Sequence, residues 1–124
     1  MKYGIYYAYW EKEWNGDYKY YIDKISKLGF DILEISCGAF SDYYTKDQEL
    51  IDIGKYAKEK GVTLTAGYGP HFNESLSSSE PNTQKQAISF WKETLWKLKL
   101  MDIHIVGGAL YGYWPVDYSK PFDK

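Results

Sequence analysis

The stretch Lys58-Glu59-Lys60-Gly61-Val62-Thr63-Leu64-Thr65-Ala66-Gly67-Tyr68-Gly69-Pro70 decides the architecture. A charged, helix-favouring run ends at Gly61, where a helix C-terminus calls for a residue that tolerates left-handed backbone. Val62–Ala66 follows with no spacer, short and β-branched, and reads as a strand. Gly67, Gly69 and Pro70 are predicted to end it. The helix-to-strand connection is therefore almost nil. The strand-to-helix connection, residues 67–79, is long and polar. That asymmetry recurs along the chain.

Upstream, Thr45-Lys46-Asp47-Gln48 has the form of a capping box and predicts a helix running through Lys60. Before it lies an Ile/Leu-rich run, Asp31–Cys37, closed by Gly38. Asp17 is a good N-cap, and Tyr18, Tyr21, Ile22, Ile25 and Leu28 then recur at helical spacing until Gly29. The first apolar run is Tyr3–Tyr9. Downstream, Ser79-Glu80-Pro81 opens the longest helix, to about Met101, with Ala87, Trp91, Leu95 and Leu98 on its apolar face. A fourth run, Ile103–Val106, meets Gly107-Gly108, and an aromatic tail follows.

The order is β-α-β-α-β-α-β. Strands alternating with helices imply a parallel sheet with right-handed crossovers. Strands apolar on both faces fit a sheet covered on both sides. An open doubly wound sheet and part of an eight-fold barrel share this pattern. No G-x-G-x-x-G follows the first strand, which disfavours a dinucleotide fold. Long loops at the C-terminal strand ends suit a barrel, whose working loops lie there. A complete (β/α)8 barrel needs roughly 250 residues. The 124 residues are thus expected to form one α/β domain of parallel β/α units, residues 1–124, equivalent to the N-terminal half of a TIM barrel with the C-terminal half absent.

Composition narrows the function. Tyr, Trp and Phe make up 19% of the chain, so a mean hydropathy of -0.54 is compatible with a substantial core. The net charge is -2 and every basic residue is Lys. A nucleic-acid partner, which wants a basic face, is disfavoured, as is any guanidinium clamp built from this chain alone. The single Cys37 excludes an intramolecular disulfide and a multi-cysteine zinc site. No apolar run is long enough to span a membrane, and the N-terminus lacks the features of a signal peptide. A cytoplasmic, reducing compartment is the expectation.

Several ordered blocks carry a resemblance. The opening M-K-x-G-I-Y-Y-A-Y-W-E-x-E-W, the run K-L-G-F-D-I-L-E-I, the turn G-Y-G-P and the segment D-I-H-I-V-G-G-A-L-Y-G-Y-W-P-V-D-Y are similar to those of the ketose 3-epimerases, the D-psicose (D-allulose) and D-tagatose 3-epimerases of the sugar-phosphate isomerase-like barrels. The resemblance implies inversion at C3 of a free ketohexose such as fructose. A divalent metal, Mn2+ or Co2+ and sometimes Mg2+, polarises the substrate oxygens, and paired glutamates move a proton through an enediolate. It further implies that these glutamates and the metal ligands come from later strands, so no catalytic and no metal-binding residue is expected in this segment. Family members are commonly dimers or tetramers.

What the segment is expected to supply is substrate wall. By position in the matching blocks, Tyr6, Trp14, Gly69, Ala109 and Trp114 resemble substrate-lining residues, with Ser36 and Tyr68 as further members of the wall. Sugars present apolar C–H faces and a rim of hydroxyls, so Trp can stack and Tyr can hydrogen-bond. Each aromatic also has a reading as core or helix cover, and Trp10, Trp91 and Trp96 are assigned to structure. Strand alternation would put Ile103 and Ile105 on the face of Gly107 and Ala109. His104 would then turn toward the helices as a buried, hydrogen-bonded residue rather than a metal ligand. His71 has no partner His at ligand spacing. Glu34 should point into the barrel, between Leu33 and Ile35 facing the helices, and both a catalytic and a structural hydrogen-bonding role are open to it. Two rival functions remain: a non-catalytic sugar-binding half-barrel, and another metal-dependent enzyme on the same fold.

Overall fold

The computed structural model describes residues 1–13, 16–39, 44 and 46–113. Four parallel strands lie in sequence order: β1 (Gly4–Tyr6), β2 (Ile32–Ser36), β3 (Thr63–Tyr68) and β4 (Val106–Gly108). The crossovers carry α1 (Tyr18–Leu28), α2 (Asp47–Glu59) and α3 (Pro81–Leu100). Sequential pairing through helical crossovers is the β/α repeat that the alternating pattern predicts.

Local chemistry sets the helix ends. The Asp17 carboxylate accepts the N–H groups of Lys19 and Tyr20 at 3.0 and 3.3 Å, removing two orphan donors at the start of α1. Gly29 ends that helix at φ 82°, and the N–H groups of Gly29 and Phe30 return to the carbonyls of Ser26 and Ile25. At α2 the cap falls one residue later than Thr45 suggests. Lys46 is the N-cap, and its N–H donates to the Glu49 carboxylate at 3.3 Å. Thr45 itself lies outside the described residues. Pro81 opens α3, where its missing N–H costs nothing.

Strand register divides the sheet into two faces. Ile5, Leu33 and Leu64 form one row, and Ile35, Ala66 and Val106 form the next on the same side. Leu33, Ile35 and Ala66 are fully buried against Tyr21, Ile22, Ile25, Leu50, Ile53 and Leu98. This is the helix-covered core, with Leu33 and Ile35 placed as the alternation predicts. The other side carries Gly4, Ile32 and Thr63, then Tyr6, Glu34 and Thr65, then Ser36, Gly67 and Gly107. It corresponds to the interior of a barrel.

Several expectations need correction. The first run is a strand only to Tyr6; Tyr7–Tyr9 turns into a 3-10 helix. Tyr7 is fully buried there, edge-on to Tyr6, Tyr18 and Tyr21, so aromatic packing outweighs continued β pairing. β3 does not stop at Ala66 but continues through Gly67 and Tyr68. On α3 the apolar face holds Ala87, Trp91, Thr94 and Leu98, while Leu95 is 55% exposed. The fourth strand is Val106–Gly108 rather than Ile103–Val106. Ile103 is buried in the helix-side core and Ile105 is 64% exposed, so the two do not share an inner face. His104 is exposed too, its imidazole 2.8 Å from the Asp102 carboxylate. Asp102 has φ 61°, and this turn resets the alternation before the ladder begins.

Candidate functional site

The C-terminal ends of all four strands come together at one edge of the sheet. Tyr6 ends β1, Ser36 ends β2, Tyr68 ends β3 with Gly69 next in the chain, and Gly108 ends β4 with Ala109 next. Parallel strands bring these ends side by side: Ser36 is level with Gly67 and Gly107, and Tyr68 with Gly108. Trp14 and Trp114 lie outside the described residues.

Tyr6 is half-buried on the inner face. Burial raises its phenol above the ordinary value near 10.0, a hydrogen bond with Ser36 works against that, and the charge of Glu34 adds to it. The phenol therefore stays protonated and able to donate at neutral pH. Ser36 is 5% exposed. Its hydroxyl accepts the Gly38 N–H at 3.3 Å, and its carbonyl accepts the buried Tyr18 hydroxyl at 3.1 Å. The end of β2 is thereby fixed.

Tyr68 departs from the expected wall. Register turns it to the helix side, where its ring stacks on Phe90 at 5.4 Å and meets Trp91 edge-on at 6.1 Å. Its hydroxyl donates to the Glu74 carboxylate at 2.6 Å, and the same oxygen accepts the His71 N–H at 2.8 Å. Burial first, then the Glu74 carboxylate, raise the Tyr68 pKa well above its ordinary value. Tyr68 anchors the loop Gly69–Glu74 from behind. His71 belongs to this loop through its backbone. Phe72 in turn meets Tyr113 edge-on at 5.2 Å, linking the loops after β3 and β4.

Two further anchors went unread in the sequence. Glu74 acts as the cap of the short turn Phe72–Glu74; its signal was a carboxylate three residues after the turn's entry, as in a capping box. Tyr44 accepts the Tyr18 N–H at 3.1 Å, donates to the Gly16 carbonyl at 3.2 Å and stacks on Tyr18 at 5.1 Å. It ties the loop before α1 to the loop after β2. Nothing in local spacing marks such a long-range contact.

Glu34 lies in the inner row between Tyr6 and Thr65. A Cβ on Gly67 would stand 2.8 Å from its Oε1, so that strand glycine leaves room for the carboxylate. Among the described residues no three His, Cys, Asp or Glu converge as a metal site. They do not by themselves fit a divalent ion.

Comparison with known proteins bears on this geometry. No protein-family model matches the chain. Along all 124 residues it is 60% identical to the D-psicose 3-epimerase of Enterocloster bolteae and 50% identical to that of Ruminiclostridium cellulolyticum. The chain is a relative of the D-psicose 3-epimerases. It spans 41% and 42% of the length of those two curated relatives. It also superposes over its whole length on the D-psicose 3-epimerase from Clostridium cellulolyticum H10 with D-tagatose, at a TM-score of 0.93 and 50% identity. For a D-psicose 3-epimerase in the presence of D-fructose the TM-score is 0.92 and the identity 47%. It covers 42% of each of those chains. These neighbours are TIM-barrel enzymes, and the four β/α units correspond to part of that barrel.

Proposed function

We propose that this chain builds one side of the substrate pocket of an isomerase that epimerises free ketohexoses at C3, converting fructose to psicose (allulose) through an enediolate. The observation carrying the reading is the 60% identity to a D-psicose 3-epimerase along every residue of the chain. The geometry supports it: protonated Tyr6, fixed Ser36 and the small residues Gly69 and Ala109 sit at one edge, where a barrel enzyme works. In this reading Tyr6 donates to a sugar hydroxyl, Gly69 and Ala109 leave space for the open-chain sugar, and Trp14 and Trp114 cover its apolar faces. Tyr68 acts indirectly, by holding the Gly69 loop.

When bound, a divalent metal (Mn2+ or Co2+, or Mg2+) supplies Lewis-acid polarisation of the sugar oxygens. Its ligands and the acid/base pair are proposed to lie on other strands. A cytoplasmic enzyme acting as a dimer or tetramer completes the proposal. Among the described residues no helix is long and apolar enough to cross a membrane.

The test is turnover at the protein's full natural length, with fructose and Mn2+, read as psicose by chromatography. Psicose formation, with KM raised by Tyr6→Phe, is the expected result. Sugar binding without turnover would replace the reading with that of a binding module. The 124-residue chain alone is expected to form no psicose.

A further inference from the structure

We infer that Glu34 is a specificity-determining residue whose carboxylate accepts a hydrogen bond from a ketohexose hydroxyl, and that Gly67 is kept small to hold the carboxylate in place. The inference rests on the ketohexose reading above and adds a polar contact to it. Three observations carry it.

The first is position. Glu34 shares its row with Tyr6, on the inner face, one row below Ser36 and Gly67. A ligand donating to or accepting from the Tyr6 phenol is therefore within reach of Glu34. The second is its lack of a protein partner. Among the described residues no hydrogen bond or ion pair to the half-buried Glu34 carboxylate is found, and its oxygens are not sealed from solvent. A carboxylate has about four acceptor sites, which water or a ligand hydroxyl can fill. Sugar hydroxyls are donors of the right kind.

The third is Gly67. Glycine inside a strand weakens it by roughly 0.5–1 kcal/mol relative to alanine. Gly67 pairs with Ser36 and Gly107 and does not have positive φ, so backbone conformation does not demand glycine. An added Cβ would meet Glu34 Oε1 at 2.8 Å and Cδ at 3.2 Å, so the end of this flexible side chain would have to swing aside. The strand thus forgoes a side chain where one would push the carboxylate aside.

The experiment uses the protein at its full natural length and reads ketohexose binding by calorimetry beside fructose turnover. Glu34→Gln keeps the shape and removes the charge. It is expected to weaken fructose binding by ~10-fold or more, the scale of a lost charge-assisted hydrogen bond, and to raise KM with kcat nearly unchanged. The ratio of affinities for fructose, tagatose and psicose should change as well. Gly67→Ala should weaken binding in the same direction while the charge is retained. Unchanged binding and unchanged sugar preference in Glu34→Gln would overturn the inference, and so would a fall in melting temperature with binding intact, which would mark a structural carboxylate. If the parent protein binds ketohexose without turning it over, the epimerase reading fails while the binding data still decide the role of Glu34.

Discussion

The two faces of one sheet were built from the same strands to opposite specifications. Toward the helices, Ile5, Leu33, Leu64, Ile35, Ala66 and Val106 meet the sheet's neighbours as plain hydrocarbon. Toward the interior, the intervening residues are Tyr6, Glu34, Thr65, Ser36, Gly67 and Gly107, which carry hydroxyls, a carboxylate and glycines. A single-residue alternation separates the two. The first face sets stability through volume and area. The second is polar and glycine-rich and holds the chemistry proposed for the site. The contrast yields predictions in which a change one residue along the same strand has a different readout.

The largest effect is expected at Ile35. It is fully buried, and Ile35→Ala should cost about 2–5 kcal/mol of unfolding free energy, the range for a large-to-small change in a close-packed core. Denaturant melts at the protein's full length would measure it. Its neighbour Glu34, replaced by Gln, should leave the midpoint nearly unmoved. Equal losses at both sites would erase the distinction between the faces.

Cys37 comes next in the chain, in the 3-10 turn just past the end of β2, and tests how well the helix side is sealed. Burial pushes its thiol up to about 12 from an ordinary value near 9.0. The thiol is neutral at pH 8, and native protein should resist iodoacetamide that modifies the unfolded chain within minutes. The linkage has a definite sign. Below pH 9 both states hold the proton and stability is unaffected. Above it the unfolded thiol ionises first, so stability falls as pH rises toward 12. Fast native alkylation at pH 8 would mean that the face opens locally.

How much of this could be read beforehand follows from the same division. The helix-facing rows were legible because period-two hydrophobicity and helical spacing are local signals: Asp17, Gly29 and Pro81 sit where helix-end chemistry demands. The order of the elements was legible for the same reason. The site was read less completely. Tyr6, Gly69 and Ala109 fall at or next to the strand ends, but Tyr68 belongs to the helix side because β3 runs on through Gly67 to Tyr68, two residues beyond Ala66. His104 misleads because the Asp102 turn resets the alternation that was used to orient it. Gly67 looked like a turn residue. Its steric relation to Glu34 exists only across the register of two strands, and no local window contains it.

The smallest predicted effect has the opposite sign, and it isolates what Gly67 does. Gly107 lies in the same row as Gly67, one strand over. Unlike Gly67, it has nothing within 4 Å of an added Cβ among the described residues, and unlike Gly108 it does not have positive φ. A strand residue in ordinary backbone with open space gains by losing glycine's extra freedom in the unfolded state. Gly107→Ala is therefore expected to stabilise the fold by about 0.4–1 kcal/mol, seen as a small rise in melting temperature. Gly67→Ala shares that unfolded-state gain but must also displace the Glu34 carboxylate, so it should fall below Gly107→Ala in stability and weaken sugar binding. Both alanines raising the melting temperature equally, with sugar binding intact in each, would show that the carboxylate swings away freely. The space above Gly67 would then hold no ligand group in place.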